Sequence, residues 1–344
     1  MRPARLFAAA ALAAGAAAVV ALDPFSSAAG PAPRGATVPA HWSTFSHLRL
    51  VVDLSAPRPD GRLVVAYDGR LGLLDPRGGL ASFAAGPGGY RTPTGPEPYI
   101  ALSPRRAGRC GYGRNAVYAL EPKGPSVVRV TATGHAGVFA RLPAGSFPNG
   151  IAFDTTGRFG RRLLVTAAKG SKTSVLAIDC RGRGRTVTSS APRLEGGIAI
   201  APAGFGAHGG ELIAPDEHGG SVLAISPSGR ASVLVASGLP AGGDTGVESA
   251  GFVPKTLGRL VDGYLADRSS PGSPTAGTDS VLVLRGPDLL RAGVRGGDLL
   301  VATEAGARTI DVRCARRRPC RVHEVADGPA AAHAEGHISF ARRR

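Results

Sequence analysis

The chain has 344 residues, of which 43% are apolar and 5% aromatic, with 50 Gly and 28 Pro. Glycine at about twice its ordinary share argues against a helical bundle, and this apolar content argues against wholesale disorder, so many short strands around a sizeable core are expected. The net charge of +16 comes from 41 Lys+Arg against 25 Asp+Glu; the arginines are scattered and not interleaved with aromatics, which argues against a specific nucleic-acid site and leaves attraction to anionic cell-wall polymers or membrane-surface phosphates.

At the amino terminus Met1 to Arg5 is basic, Leu6 to Leu22 is uncharged and Ala-rich, and small residues follow near Ser27 to Ala29. These are the three parts of a secretory signal, and the run is short for a bilayer span. Residues 1–29 are predicted to be a signal peptide, 30–58 a linker and lead-in, and 59–344 a folded, exported and monomeric domain. Two disulfides are the default for four cysteines in an exported chain. Cys314 and Cys320 flank a short loop-like insert and are expected to pair, leaving Cys110 to Cys180. No CxxC pair suggests zinc.

Gly61 to Ala66, Leu71 to Asp75 and Leu80 to Ala84 read as three strands with no opening strand before them. Four-strand units follow. One opens at Glu97 to Leu102 and continues through Asn115 to Leu120 and Ser126 to Thr131. The next opens at Pro148 to Asp154, continuing through Arg162 to Thr166 and Ser174 to Asp179. A third opens at Glu195 to Ile200, with Glu211 to Ala214, Ser221 to Ser226 and Ala231 to Ala236 behind it. A fourth opens at Glu248 to Val253. Residues 268–297 are the least regular, with a short helix over Pro287 to Gly293, and Asp298 to Thr303 with Arg308 to Val312 are expected to supply a further unit. Glu335 to Phe340 is an opening strand with nothing after it and is expected to complete the first unit.

The openings at 97, 149, 195 and 248 are 52, 46 and 53 residues apart. Such a period with four strands per unit predicts an all-β, six-bladed β-propeller with four-stranded blades, the first completed by the C-terminal strand. The residue at the start of each inner strand then sits at one mouth of the central channel. These are Glu97, Asn149, Glu195, Glu248 and Glu335; four of the five are Glu in a chain with nine. Carboxylates converging on an axis need a cation or basic partners to neutralise them. Oxygen-only ligands suit Ca²⁺, Mn²⁺ or Mg²⁺. The alternative is that these Glu residues cap strands or pair with arginines.

The openings FPNGIAFD and LEGGIAI, with the segment FGAHGGELIAPDEHGGSVLAISPSG, resemble the six-bladed calcium-dependent propeller superfamily, which includes the gluconolactonase and regucalcin (senescence marker protein) families. The similarity spans roughly residues 60–340 and is sharpest over 146–254. It implies a Ca²⁺ held by Asn149, by Glu195 and by a first Glu at Glu97 or Glu335. Glu stands where the second acid is usually Asp, and the substrate-side Asn of the family has no match. The implied activity is metal-dependent hydrolysis of small-molecule lactones or esters. A non-catalytic propeller binding a ligand or protein at the cell surface is the alternative. Loops expected on the metal face carry Asp68, Lys169, Asp216, Glu217, His218, Asp267 and Glu304. Catalytic candidates are Glu195 and Glu248, with His218 as a further base; His208 is expected on the opposite face. No GxSxG elbow, P-loop or quinoprotein opening motif is present.

Overall fold

The computed structural model describes residues 39–93, 97–104, 111–121 and 123–343. The signal-like segment 1–29 lies outside the described residues. Two short strands, β1 (Ala40–His41) and β2 (Ser43–His47), come first. Next are β3 (Val51–Pro57), β4 (Leu63–Tyr67), β5 (Arg70–Leu74) and β6 (Leu80–Phe83), then β7 (Ile100–Leu102), β8 (Val117–Glu121), β9 (Ser126–Val130) and β10 (Ala136–Arg141). The third group is β11 (Phe147–Phe153), β12 (Leu163–Lys169), β13 (Lys172–Ile178) and β14 (Gly184–Pro192), and the fourth β15 (Ala199–Ile200), β16 (Leu212–Asp216), β17 (Ser221–Ile225) and β18 (Ala231–Ala236). Each group is one four-stranded antiparallel sheet in chain order.

Local chemistry explains these meanders. Asp68 and Gly69, both at positive φ, turn the chain between the paired Tyr67 and Arg70, the Asp-Gly turn that a two-residue hairpin requires. Middle strands such as β12 are buried nearly throughout, whereas the outer β14 is mostly exposed. Apolar faces of successive sheets pack together, as where Leu164 and Val175 meet Ile198, Leu212 and Leu223.

The remaining strands are β19 (Val247–Phe252), β20 (Val261–Asp267), β21 (Ser280–Leu284), β22 (Leu299–Thr303), β23 (Thr309–Arg313), β24 (Arg321–Asp327) and β25 (Ala334–Arg342), with helix α1 (Gly286–Arg291) between β21 and β22. They form a nine-stranded sheet ordered β1-β24-β23-β22-β19-β25-β20-β21-β2. Its two halves meet at one parallel pair, Ala250 with His337. The chain interleaves these halves: β19 pairs with β22, and β20 pairs with β25. The inner strands β3, β7, β11, β15, β19 and β25 contact one another in that order, and β25 returns to β3. The molecule is an all-β propeller with almost no helix.

Three expectations are corrected here. The C-terminal strand does not complete the sheet of residues 61–84, which has its own inner strand β3; β25 instead completes the half built from β20, β21 and β2. Residues 30–58 are therefore not only a lead-in, because β1, β2 and β3 fall within them. The strands at 298–303 and 308–312 belong with the Glu248 opening and not with a later unit. Alternation shows that a segment is a strand, but not which neighbour it pairs with. The Cys314–Cys320 disulfide is formed; the proposed partner of Cys180, Cys110, lies outside the described residues. Among the described residues no helix is long and apolar enough to cross a membrane.

Candidate functional site at the central mouth

The inner strands begin at one mouth, and two glycines let them approach there. Gly196 and Gly336, each following a Glu, have φ of +78° and +67°. A Cβ on Gly196 would lie 2.2 Å from Glu248 Cγ, and one on Gly336 would lie 2.4 Å from Asp53 Oδ1. Only glycine fits both the backbone and the space. Tyr99 and His333 lie just ahead of β7 and β25, and the Tyr99 N–H donates to the Glu97 carbonyl at 3.0 Å, so a tight turn sets the entry to β7.

The network centres on Tyr99, which is fully buried. Its Oη lies 2.6 Å from Glu248 Oε1 and 2.7 Å from Glu335 Oε2, with Glu97 Oε2 at 3.5 Å. A phenol has one proton, so two contacts this short require one carboxyl to be protonated and to donate to the phenol oxygen. Burial, with Glu335, Glu304 and Glu97 nearby, raises Glu248 well above the carboxylate range. Burial also acts on Glu335, but His333 and Arg268 hold it below its ordinary value. The proton therefore resides on Glu248.

Two cations enter this ring. Arg268 donates through Nη1 to Glu97 and lies 3.5 Å from Glu335 Oε1. His333 Nε2 is 2.7 Å from Glu304 Oε1 and 3.4 Å from Glu335 Oε1. Burial pulls the His333 pKa down, but these two carboxylates lift it to about 10. The acids still outnumber the cations: burial and Glu335 raise Glu97 to about 7, and burial raises Glu304 to about 8 even against His333. Glu195 keeps 17% side-chain exposure, lies 3.2 Å from Arg193, and is raised by burial.

Of the residues singled out in the sequence, Glu97, Glu248 and Glu335 converge on one phenol. Glu195 feels the charges of Glu217 and Glu335 from the edge. Asn149 is buried and donates to the Leu194 carbonyl, while its Oδ1 has no partner. His218 stays on the rim, half exposed, 3.8 Å from Glu217 Oε2, and outside the Tyr99 network. Glu217 and Glu304, read as rim residues, are buried. Asp267 is buried too and accepts from the backbone of Thr278 and His333, a structural role. Asp68 is taken up by Arg49 and Arg70. His208 pairs with Glu211 at 2.8 Å. Sequence reasoning missed Tyr99, Arg268 and His333: Tyr99 and His333 lie immediately before β7 and β25 and Arg268 immediately after β20, so no strand period marks them.

Glu217, Asp244 and Glu304 place one ligand atom each within 4.8 Å of one another, and so do Glu304, His333 and Glu335. The first set offers only oxygens. The buried Glu217 Oε1 and Asn149 Oδ1 have no hydrogen-bond partner, so oxygen donors stand ready without a protein group to satisfy them. The donor set therefore fits a hard divalent cation.

No protein-family model matches the chain, and no curated protein matches it. Among solved structures, virginiamycin B lyase from Staphylococcus aureus is 14% identical over 89% of this chain and 92% of its own, with a TM-score of 0.44. A gluconolactonase from Xanthomonas campestris is 17% identical, covering 67% and 70%, at 0.41. A putative oxidoreductase (glucose dehydrogenase) from Thermus thermophilus is 17% identical, covering 86% and 89%, at 0.49. At this distance none of them transfers an activity or a residue role to this chain.

Proposed function

We propose that this chain is an exported, six-bladed propeller that hydrolyses small lactones or esters with a divalent cation, most simply Ca²⁺, at its carboxylate mouth. The six-blade count rests on the closed order of six inner strands, with the nine-stranded sheet taken as two interleaved blades. The observation that carries the function is the excess of acids: Glu97, Glu195, Glu217, Glu248, Glu304 and Glu335 gather around Arg268 and His333, with the Asn149 and Glu217 oxygens left unpartnered.

Glu217, Asp244 and Glu304 would hold the cation, with Asn149 and Glu195 as further donors. When bound, the cation supplies Lewis acidity toward a substrate carbonyl. Glu195, partly exposed and raised by burial, is placed to take a proton from water. Glu248 is reassigned: carrying a proton and sealed behind Tyr99, it is suited to giving one up rather than taking one. Two carboxyls in unlike environments divide acid and base roles in this way. Glu335, held ionised by His333 and Arg268, fixes Tyr99.

A second reading, a binding propeller without chemistry, is favoured by Arg268 and His333 already neutralising Glu97, Glu304 and Glu335. A panel of aldonolactones and aryl esters, assayed with Ca²⁺, Mn²⁺ and Zn²⁺ and after EDTA, separates the two. Metal-dependent turnover reduced at least tenfold by Glu195→Gln supports the hydrolase. Melting temperature that rises with Ca²⁺, and rises less in Glu304→Gln, without turnover on any substrate, leaves only the binding reading. No response to any metal overturns the cation site itself.

A further inference from the structure

The opposite end of the axis has a different chemistry. The inner strands run away from the carboxylate mouth, and Pro57, Leu102, Phe153, Ile200, Phe252 and Phe340, toward their far ends, line a mainly apolar cavity of about 400 Å³. Two more cavities lie on that face. One, of about 420 Å³, shares Pro57, Pro254 and Phe340 with the first and adds Arg259 and Arg342. The other, of about 760 Å³, includes Thr156, next in the chain to Thr155 of the apolar cavity, together with Arg158, Arg316 and Arg317. The last two sit in the loop closed by Cys314–Cys320.

These five arginines are exposed and make no ion pair among the described residues. Acids of the loops at this end are held by other groups: Asp60 by Arg62 at 2.8 Å, Asp179 by Arg183 at 3.0 Å, Asp262 by Arg285 at 2.9 Å and Arg343 at 2.7 Å, and Asp154, in the Arg158 loop, by the backbone N–H groups of Thr156, Gly157, Phe159 and Arg161. The face therefore presents unpaired guanidinium groups beside an apolar cavity whose volume lies toward the low end of the ~300–1,000 Å³ typical of small-ligand pockets. A hydrophilic polyanion would use the arginines and leave the cavity idle, and a neutral lipid would do the reverse. A bilayer surface has no reason to send one chain into a cavity closed by six strands.

We propose that this face binds a single-chain anionic amphiphile, with its alkyl chain in the cavity between the inner strands and its headgroup on Arg259 and Arg342 or on Arg158. The site is independent of the carboxylate mouth and of any reaction there. Calorimetry on the mature protein would compare decyl phosphate, octyl phosphate, inorganic phosphate and decyl maltoside. Decyl phosphate is expected to bind on the order of tenfold more tightly than octyl phosphate, following the two added methylenes, and far more tightly than the other two. Ala199→Phe, which fills the half-buried lining of the cavity, should weaken it at least tenfold, and Thr155→Phe from the exposed rim should act likewise. Arg259→Glu combined with Arg342→Glu, or Arg158→Glu alone, should do the same while leaving the Ca²⁺ response of the other mouth unchanged. The proposal is overturned if decyl phosphate does not bind, if affinity ignores chain length, if inorganic phosphate binds as well, or if only phosphatidylglycerol vesicles are retained.

Discussion

At the scale of single residues, the axis is held by charge in two places. Midway along it, the Asp53 carboxylate accepts from the backbone of Leu54, Ile100 and His337 at 2.7–2.8 Å and from His337 Nδ1, while His337 Nε2 reaches the Ile151 carbonyl at 3.0 Å. Four inner strands are joined by these two side chains. Burial alone would lower the His337 pKa, but Asp53 and the carbonyls raise it. A raised histidine contributes stability in full below its unfolded value of about 6.5 and loses it as pH rises through the folded value. Denaturation measured against pH should show that loss, and His337→Asn should flatten it. Asp53→Ala, which strands an imidazolium and three N–H groups, should cost about 3–5 kcal/mol. At the mouth the sign is the same for a different reason: Glu248 is protonated in the fold, so folding takes up a proton and stability falls as pH rises above about 4.3. Glu248→Gln keeps the shape without the proton, so it should raise the melting temperature at pH 8 and change little at pH 4.

At the scale of elements, three of the five strand openings, Asn149-Gly150, Glu195-Gly196 and Glu335-Gly336, combine an acid or amide with a glycine. In Glu335-Gly336 the glycine meets Asp53 where a Cβ would stand, whereas Gly170, at φ +58° in the turn between β12 and β13, has open space around it. Both sites disfavour an L side chain, so Gly170→Ala should cost about 1 kcal/mol. Gly336→Ala carries that cost and a collision with the inner-strand brace besides, and urea titration should find it destabilised by several kcal/mol. Equal costs would mean that the approach of β25 to β3 has slack. The Glu-Gly pattern was visible in the sequence. Its packing reason was not, because Asp53 lies about 280 residues away in a segment that reads as a lead-in.

At the scale of the whole molecule, the N-terminal strands tie the interleaved halves together. β1 runs parallel to β24, and β2 pairs with β21, so one short segment spans the outer edges of both halves of the nine-stranded sheet. Trp42 lies between these strands, fully buried, and donates to Thr309 Oγ1 at 2.8 Å. Trp42→Ala should cost about 3–5 kcal/mol through lost burial and the lost hydrogen bond to Thr309, read as a lowered urea midpoint. A truncation removing residues 39–47 should exceed it, since both outer edges lose a partner; a truncated protein as stable as the whole would show that the clamp adds nothing.

The four-strand period, the turns and the acids at the strand openings are local properties, and alternation with Gly and Asp punctuation made them legible in the chain itself. The three consecutive units from Glu97 to Ala236 could be read there because each sheet pairs strands that follow one another in the chain. What closes the ring could not be read, because β19 with β22, β20 with β25 and β2 with β21 are pairings across long loops, and a strand pattern carries no label for its partner. The same holds at the mouth. Convergence of Glu97, Glu248 and Glu335 followed from the repeat, but that they share one phenol, that Arg268 and His333 enter from other loops, and that the proton sits on Glu248 are decided by distances and burial that exist only after the chain has folded.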